Sequence, residues 1–159
     1  MPLSNDQIDA VWKKMVSAEV RAMYFGDLAG SYSCRKQIVI GVSFFASSGA
    51  AATVAAQMPH WALGLSIISA VFAAYSMAVS LDSKAMLMTK LQSTWSCLAA
   101  DYESLWRHWY VDDAEELLNR LIVRAREASE LGASDAPNDE SRLEKWRQFV
   151  HNQYPLLSS

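Results

Sequence analysis

The chain has 159 residues, a net charge of −3 and 52% hydrophobic residues, which leaves no room for a large catalytic domain and gives no overall basic character. A surface that tracks nucleic-acid phosphates is therefore not expected. The two cysteines, Cys34 and Cys97, have no matched spacing, which argues against a disulfide framework or a zinc site and for reduced thiols.

The first predicted element is an amphipathic helix within residues 1–36. It begins at Ser4, where Ser4 and Gln7 have the spacing of a capping box. Ile8, Val11, Met15, Ala18, Ala22, Phe25, Ala29 and Tyr32 recur at alternating three- and four-residue steps and form one apolar seam that needs a partner. Gly26 and Gly30 weaken its second half and mark a place for a kink. Positions 1–35 lack the charged start, short apolar core and cleavage site of a secretory signal, so any membrane insertion falls to a later segment.

Residues 37–81 contain no Asp, Glu, Lys or Arg, and Gln57, Met58, Pro59 and His60 interrupt them near the middle. The flanking runs, 37–57 and 61–81, are about twenty residues each, or ~31 Å of helix against a hydrocarbon core of ~30 Å. Pro59 supports ending one helix and starting another there. This reads as a transmembrane hairpin. Arg35 and Lys36 before it and Lys84 and Lys90 after it place both termini on the cytoplasmic side, with Trp61 in the far headgroup layer. The competing reading is a helical protein whose hairpin is simply its core, which the richness of both runs in Ala, Ser and Gly favours. The lack of a polar stripe opposes it.

Residues 82–159 are predicted to be helical and cytoplasmic. Met88, Leu91, Trp95, Leu98, Tyr102, Leu105 and Trp109 make a second seam along a stalk helix over 82–110. With no Gly or Pro between 65 and 109, that helix is expected to continue from the second span without a break, offering its seam to the N-terminal helix. A helix over 112–131 follows, with Asp112 and Glu115 at cap-box spacing, Gly132 as its stop and Leu117, Leu118, Leu121, Ile122, Ala125 and Ala128 as its buried face. A polar, Pro-containing linker leads to a last helix over 139–153, carrying Leu143, Trp146, Phe149 and Val150. The expected fold class is thus all-α: an integral membrane protein with a two-helix transmembrane hairpin and a cytoplasmic helical bundle.

No enzymatic constellation emerges. His60, His108 and His151 fall in three different segments, and the chain has no phosphate-cradling glycine loop, GxSxG or HExxH. Asp112, Asp113, Glu115 and Glu116 read as helix-dipole and cap partners rather than paired catalytic carboxylates. The chain is expected to be a non-enzyme without catalytic residues, cofactor or metal.

Two other features point to function. Ser66, Ser69, Ala73, Ser76 and Ser80 share one face of the second run, and Ser43, Ala46, Ala50, Thr53 and Gln57 share one face of the first. Such small, weakly polar faces either let helices approach closely or, repeated around an oligomer, line a watery opening; packing is the simpler use. Trp95, Tyr102, Trp106, Arg107, His108, Trp109 and Tyr110 form a dense aromatic patch, either the core of a bundle or a docking surface for a partner or another subunit. Trp106 is out of register with the stalk seam and is the strongest docking candidate.

The amphipathic N-terminal helix ending in Tyr32, Ser33, Cys34, Arg35 and Lys36, the charge-free hairpin and the long amphipathic helix after Asp82 together resemble the SLATT-like two-transmembrane effectors of bacterial conflict systems. The resemblance is one of layout over most of the chain, without a short diagnostic motif. It implies an oligomer that permeabilises or depolarises the inner membrane during phage defence, triggered by a sensor protein or a nucleotide second messenger. The alternative is a non-conducting anchor or scaffold that holds a cytoplasmic partner at the lipid bilayer.

Overall fold

The computed structural model describes residues 2–55 and 59–154. They form five helices and, among the described residues, no strand: α1 (Asn5–Ala55), α2 (Pro59–Val79), α3 (Leu81–Arg107), α4 (Ala114–Asp135) and α5 (Glu140–Gln153). The chain divides into a bundle unit, Met1–Leu28 with Leu87–Ser159, and a hairpin unit, Ala29–Met86. The divisions fall inside α1 and α3, not at the ends of the charge-free stretch. The segment read as a separate N-terminal helix and the first span are one 51-residue helix, helical through Gly26 and Gly30.

The bundle unit starts with the reciprocal cap that its sequence specifies. The Ser4 amide donates to Gln7 Oε1 at 2.8 Å and the Gln7 amide donates to Ser4 Oγ at 3.3 Å, satisfying two of the helix's otherwise orphaned donors. Val11, Met15, Ala18, Ala22 and Phe25 of α1 are buried, as are Met88, Leu91, Trp95, Leu98, Tyr102 and Leu105 of α3. Val11, Met88, Leu91 and Leu98 are fully sealed, each contributing roughly 1.5–3 kcal/mol of transfer free energy. α4 buries Ala114, Leu118, Leu121 and Ala128 but leaves Leu117 on the surface.

Polar contacts attach α5. Trp146 Nε1 donates to Asp27 Oδ2 at 3.2 Å, Tyr154 Oη donates to Glu19 Oε2 at 3.0 Å, and Arg142 Nε lies 3.3 Å from Asp139 and 3.7 Å from Asp27. Tyr24 Oη donates to the Pro137 carbonyl and accepts from the Asp139 amide, fixing the linker before α5.

Two helix-end expectations shift. α4 starts at Ala114 with Asp113 as its N-cap, and that side chain makes no capping bond, so the Asp112 cap box does not set the start. Gly132 does not stop α4, which runs on to Asp135. A Cβ at Gly132 would sit 3.2 Å from Phe25 Cζ, so this glycine is there for close approach.

In the hairpin unit, Val39, Ala46 and Leu81 are buried. Gly49 admits Leu65, whose Cδ1 would lie 3.1 Å from a Cβ there, and the Ser47 and Ser69 hydroxyls share a hydrogen bond of 2.9 Å. Small residues thus let α1 and α2 approach closely. Lys36 and Asp82, which bound the charge-free stretch, form an ion pair at 2.5 Å; both are exposed enough that it contributes at most about 1 kcal/mol.

The helix expected to run unbroken from residue 61 to 110 is interrupted at Ser80, whose φ is +48°. This left-handed conformation ends α2 and begins α3 without the glycine that usually marks such a turn.

The membrane assignment is corrected. Among the described residues no helix is long and apolar enough to cross a membrane, which overturns both the transmembrane hairpin and the placement as a multi-pass inner-membrane protein with cytoplasmic termini. Span length and absent charge carried that expectation. Of the 21 residues in 37–57, however, twelve are Ala, Ser, Gly or Thr, and these dilute the hydropathy of the Ile, Val and Phe between them. The all-α class stands.

Candidate functional site

The hairpin unit turns large apolar side chains outward. Ile38, Ile40, Phe44 and Phe45 on α1 and Trp61, Leu63, Ile67, Ile68, Val71 and Tyr75 on α2 are all exposed, Phe45 at 75% and Trp61 at 69%. Single exposed apolar residues are ordinary on a protein surface, but this many on one charge-free helical pair are not. Gly49, Ser47 and Ser69 contribute to the inter-helix contact, while these Ile, Phe, Leu and Val side chains face outside.

The small faces are partly consumed by that contact. Ser69 is half-buried and bonded to Ser47, a residue outside the face singled out on the first run. Ser43 is also half-buried, whereas Ser66 is exposed and Ser80 occupies the left-handed junction. Thr53 and Ser76 lie within helices but their side chains are outside the described residues, as is all of Gln57.

The aromatic patch separates into two groups. Trp95 and Tyr102 belong to the bundle core, at 3% and 1% exposure. Trp106 and Trp109 are exposed. Trp106 packs on Trp12 with ring centroids 5.1 Å apart, and Trp12 meets Tyr154 edge-on at 5.2 Å, an arrangement that joins α1, α3 and the residue after α5. Trp12 and Tyr154 escaped the sequence reading because neither lies on a predicted seam. Arg107 pairs with Glu103 one turn back, and Trp109 lies 6.1 Å from Tyr110 while its carbonyl accepts from the Leu3 amide at 3.1 Å.

Behind the core face of Trp95 lies chemistry that the seam pattern concealed. Arg21 sits over the Trp95 ring, Cζ to centroid 4.6 Å, and donates from Nη1 to Ser129 Oγ at 2.8 Å. Burial pulls its pKa below the usual arginine value, since desolvation disfavours the charged form. Burial pushes the Tyr102 phenol up for the converse reason. The Trp95 indole N–H and the Tyr102 hydroxyl are the buried side-chain polar atoms that lack a hydrogen-bond partner among the described residues. Arg21, Trp95 and Tyr102 line one cavity. Also among the described residues, no three His, Cys, Asp or Glu side chains gather as a metal site would require.

Comparison with known proteins adds no relative: no protein-family model, curated protein or solved structure matches the chain.

Proposed function

We propose that this chain is a non-enzymatic, lipid-directed effector whose copies gather through the apolar exterior of the hairpin unit and disturb the barrier of a bilayer, with the bundle unit receiving the trigger. The outward-facing set on α1 and α2, led by Phe44, Phe45, Trp61 and Leu63, supports this reading. Full burial of a phenylalanine contributes about 1.5–3 kcal/mol, and Phe44 and Phe45 are 67% and 75% exposed, so covering this pair alone would recover roughly 2–4 kcal/mol. Lipid engagement of this kind uses the surface of an assembly and does not require one helix to cross by itself. The resemblance of the sequence to SLATT-like effectors suggests phage defence as the setting, with a sensor protein or nucleotide signal as the trigger.

Flotation and dye release with vesicles of phosphatidylethanolamine and phosphatidylglycerol test the proposal. The parent chain should float with the vesicles and release dye, and Phe44→Ser with Phe45→Ser should cut both severalfold at unchanged helicity. Flotation without dye release would identify a scaffold that holds a partner at lipid. A chain that stays monomeric and at the bottom of the gradient would refute the effector and the scaffold alike.

A further inference from the structure

The bundle unit contains a cavity of about 230 Å³ with an unusual lining: Lys14, Arg21 and Arg126 carry three positive charges, Trp95 and Tyr102 contribute to the wall, and no carboxylate lines it. In a chain of net charge −3, uncompensated cations on one cavity call for a reason. On α1 the sequence supplies no acid to pair with them: positions three and four residues either side of Lys14 are Ala10, Val11, Ser17 and Ala18, and those around Arg21 are Ser17, Ala18, Tyr24 and Phe25. Glu130, one turn beyond Arg126 on α4, does not line the cavity. The other basic side chains of α4 that form ion pairs do so elsewhere, Arg124 with Asp101 and Arg120 with Glu116.

Two of the lining residues also carry buried polar atoms without a hydrogen-bond partner among the described residues. Indole N–H is a donor only, and the Trp95 group has no acceptor; the Tyr102 hydroxyl likewise has no partner. Leaving a buried polar group unpaired costs of order 1–3 kcal/mol, and both of these atoms are sealed within the core behind the cavity wall. Arg21 is already oriented by the Trp95 face and the Ser129 hydroxyl. Two guanidiniums, one of them held in place, beside an ammonium are the donor set that binds a phosphate group, through charge-assisted hydrogen bonds.

We infer that the cavity lined by Lys14, Arg21, Arg126, Trp95 and Tyr102 is a binding site for the phosphate group of a small phosphomonoester. Its volume lies below the ~300 Å³ at which sites for drug-sized ligands begin, so it holds the phosphate and a short substituent, not a whole dinucleotide. The site lies entirely within the bundle unit and stands apart from the lipid-directed role of the hairpin; either can fail without the other.

The test uses the full chain at fixed ionic strength. Inorganic phosphate and ribose 5-phosphate are titrated in one arm, followed by calorimetry and by thermal melting. Phosphatidylcholine vesicles with and without phosphatidic acid form the other arm. Because phosphate stabilises folded proteins non-specifically, every shift is referred to the variant Lys14→Met with Arg126→Gln, whose changed side chains are both exposed and leave the core intact. Saturable binding of phosphate or ribose 5-phosphate, weakened about tenfold or more in that variant, supports a soluble phosphomonoester. Binding seen only with phosphatidic acid, and lost in the variant, supports the same chemistry presented by a lipid headgroup. Equal responses of parent and variant in both arms overturn the site. Arg21→Lys, which keeps the charge and loses the planar fork, should bind more weakly than the parent and more tightly than the double variant.

Discussion

Replacing Gly132 by Ala tests whether a glycine in α4 is there to terminate a helix or to admit a neighbour. In the interior of a helix the substitution should gain about 1 kcal/mol from propensity alone. Here the new Cβ would meet Phe25 Cζ at 3.2 Å, and Phe25 is buried at 7% exposure, so the ring must give by a few tenths of an ångström inside a packed core. Overpacking of this kind costs roughly 1–3 kcal/mol, enough to cancel or reverse the gain. Gly26 is the internal control. Its Cβ would come closer, 2.7 Å from Gln92 Nε2, but that atom is the tip of an exposed, flexible side chain that can swing aside. Gly26→Ala should therefore stabilise the protein by about 0.5–1 kcal/mol, and Gly132→Ala should leave it unchanged or destabilise it by up to about 2 kcal/mol. Urea unfolding followed by far-ultraviolet circular dichroism measures both. In a Phe25→Leu background, where the clash is removed, Gly132→Ala should become stabilising, giving a coupling that a double-mutant cycle isolates. Equal stabilisation by the two alanines in the parent would refute the steric argument.

Tyr102→Phe removes a hydroxyl that has no partner, so with no ligand bound it should be neutral or stabilising by about 1 kcal/mol in the same unfolding assay. It should also flatten the alkaline limb of stability: because burial raises the folded pKa above the unfolded value of 10.0, the native state retains its proton longer, and stability present below pH 10 declines as pH rises through the folded pKa. An unchanged alkaline limb in Tyr102→Phe would assign that loss elsewhere. Ser80→Gly relieves a left-handed backbone of about 1 kcal/mol and should raise the melting temperature, whereas Ser80→Val should lower it; a stabilising valine would mean that the junction tolerates side chains freely.

The features legible in the sequence were those encoded by periodicity. The α1 and α3 seams, from Val11 through Phe25 and from Met88 through Leu105, are buried as their three- and four-residue spacing requires, and the Ser4 and Gln7 cap is formed. Features set by tertiary context were not legible. Ser80 breaks a helix with neither Gly nor Pro, and Gly132 resembles a stop signal until Phe25 is seen against it. The cavity beside Trp95 was hidden for a similar reason: Lys14, Arg21 and Arg126 lie 7 and 105 residues apart along the chain, and only the packing of α1, α3 and α4 brings them to one wall. Missing charge over 37–81 was misleading because it measures polarity alone, and among the described residues no helix is long and apolar enough to cross a membrane.

The attachment of α5 has a kinetic consequence. Val150 is its one buried residue, and much of its hold on α1 is polar, through Trp146 to Asp27 and Tyr154 to Glu19, with the Tyr24 hydroxyl gripping the segment before it. A helix held this way lifts off at far smaller free energy than global unfolding requires. Its amides should thus exchange with solvent through a subglobal opening while those of α3 wait for the whole bundle to unfold. Each opening parts Tyr154 from Trp12 and from Glu19, so the rate at which α5 breathes sets how often that indole loses its edge-on partner.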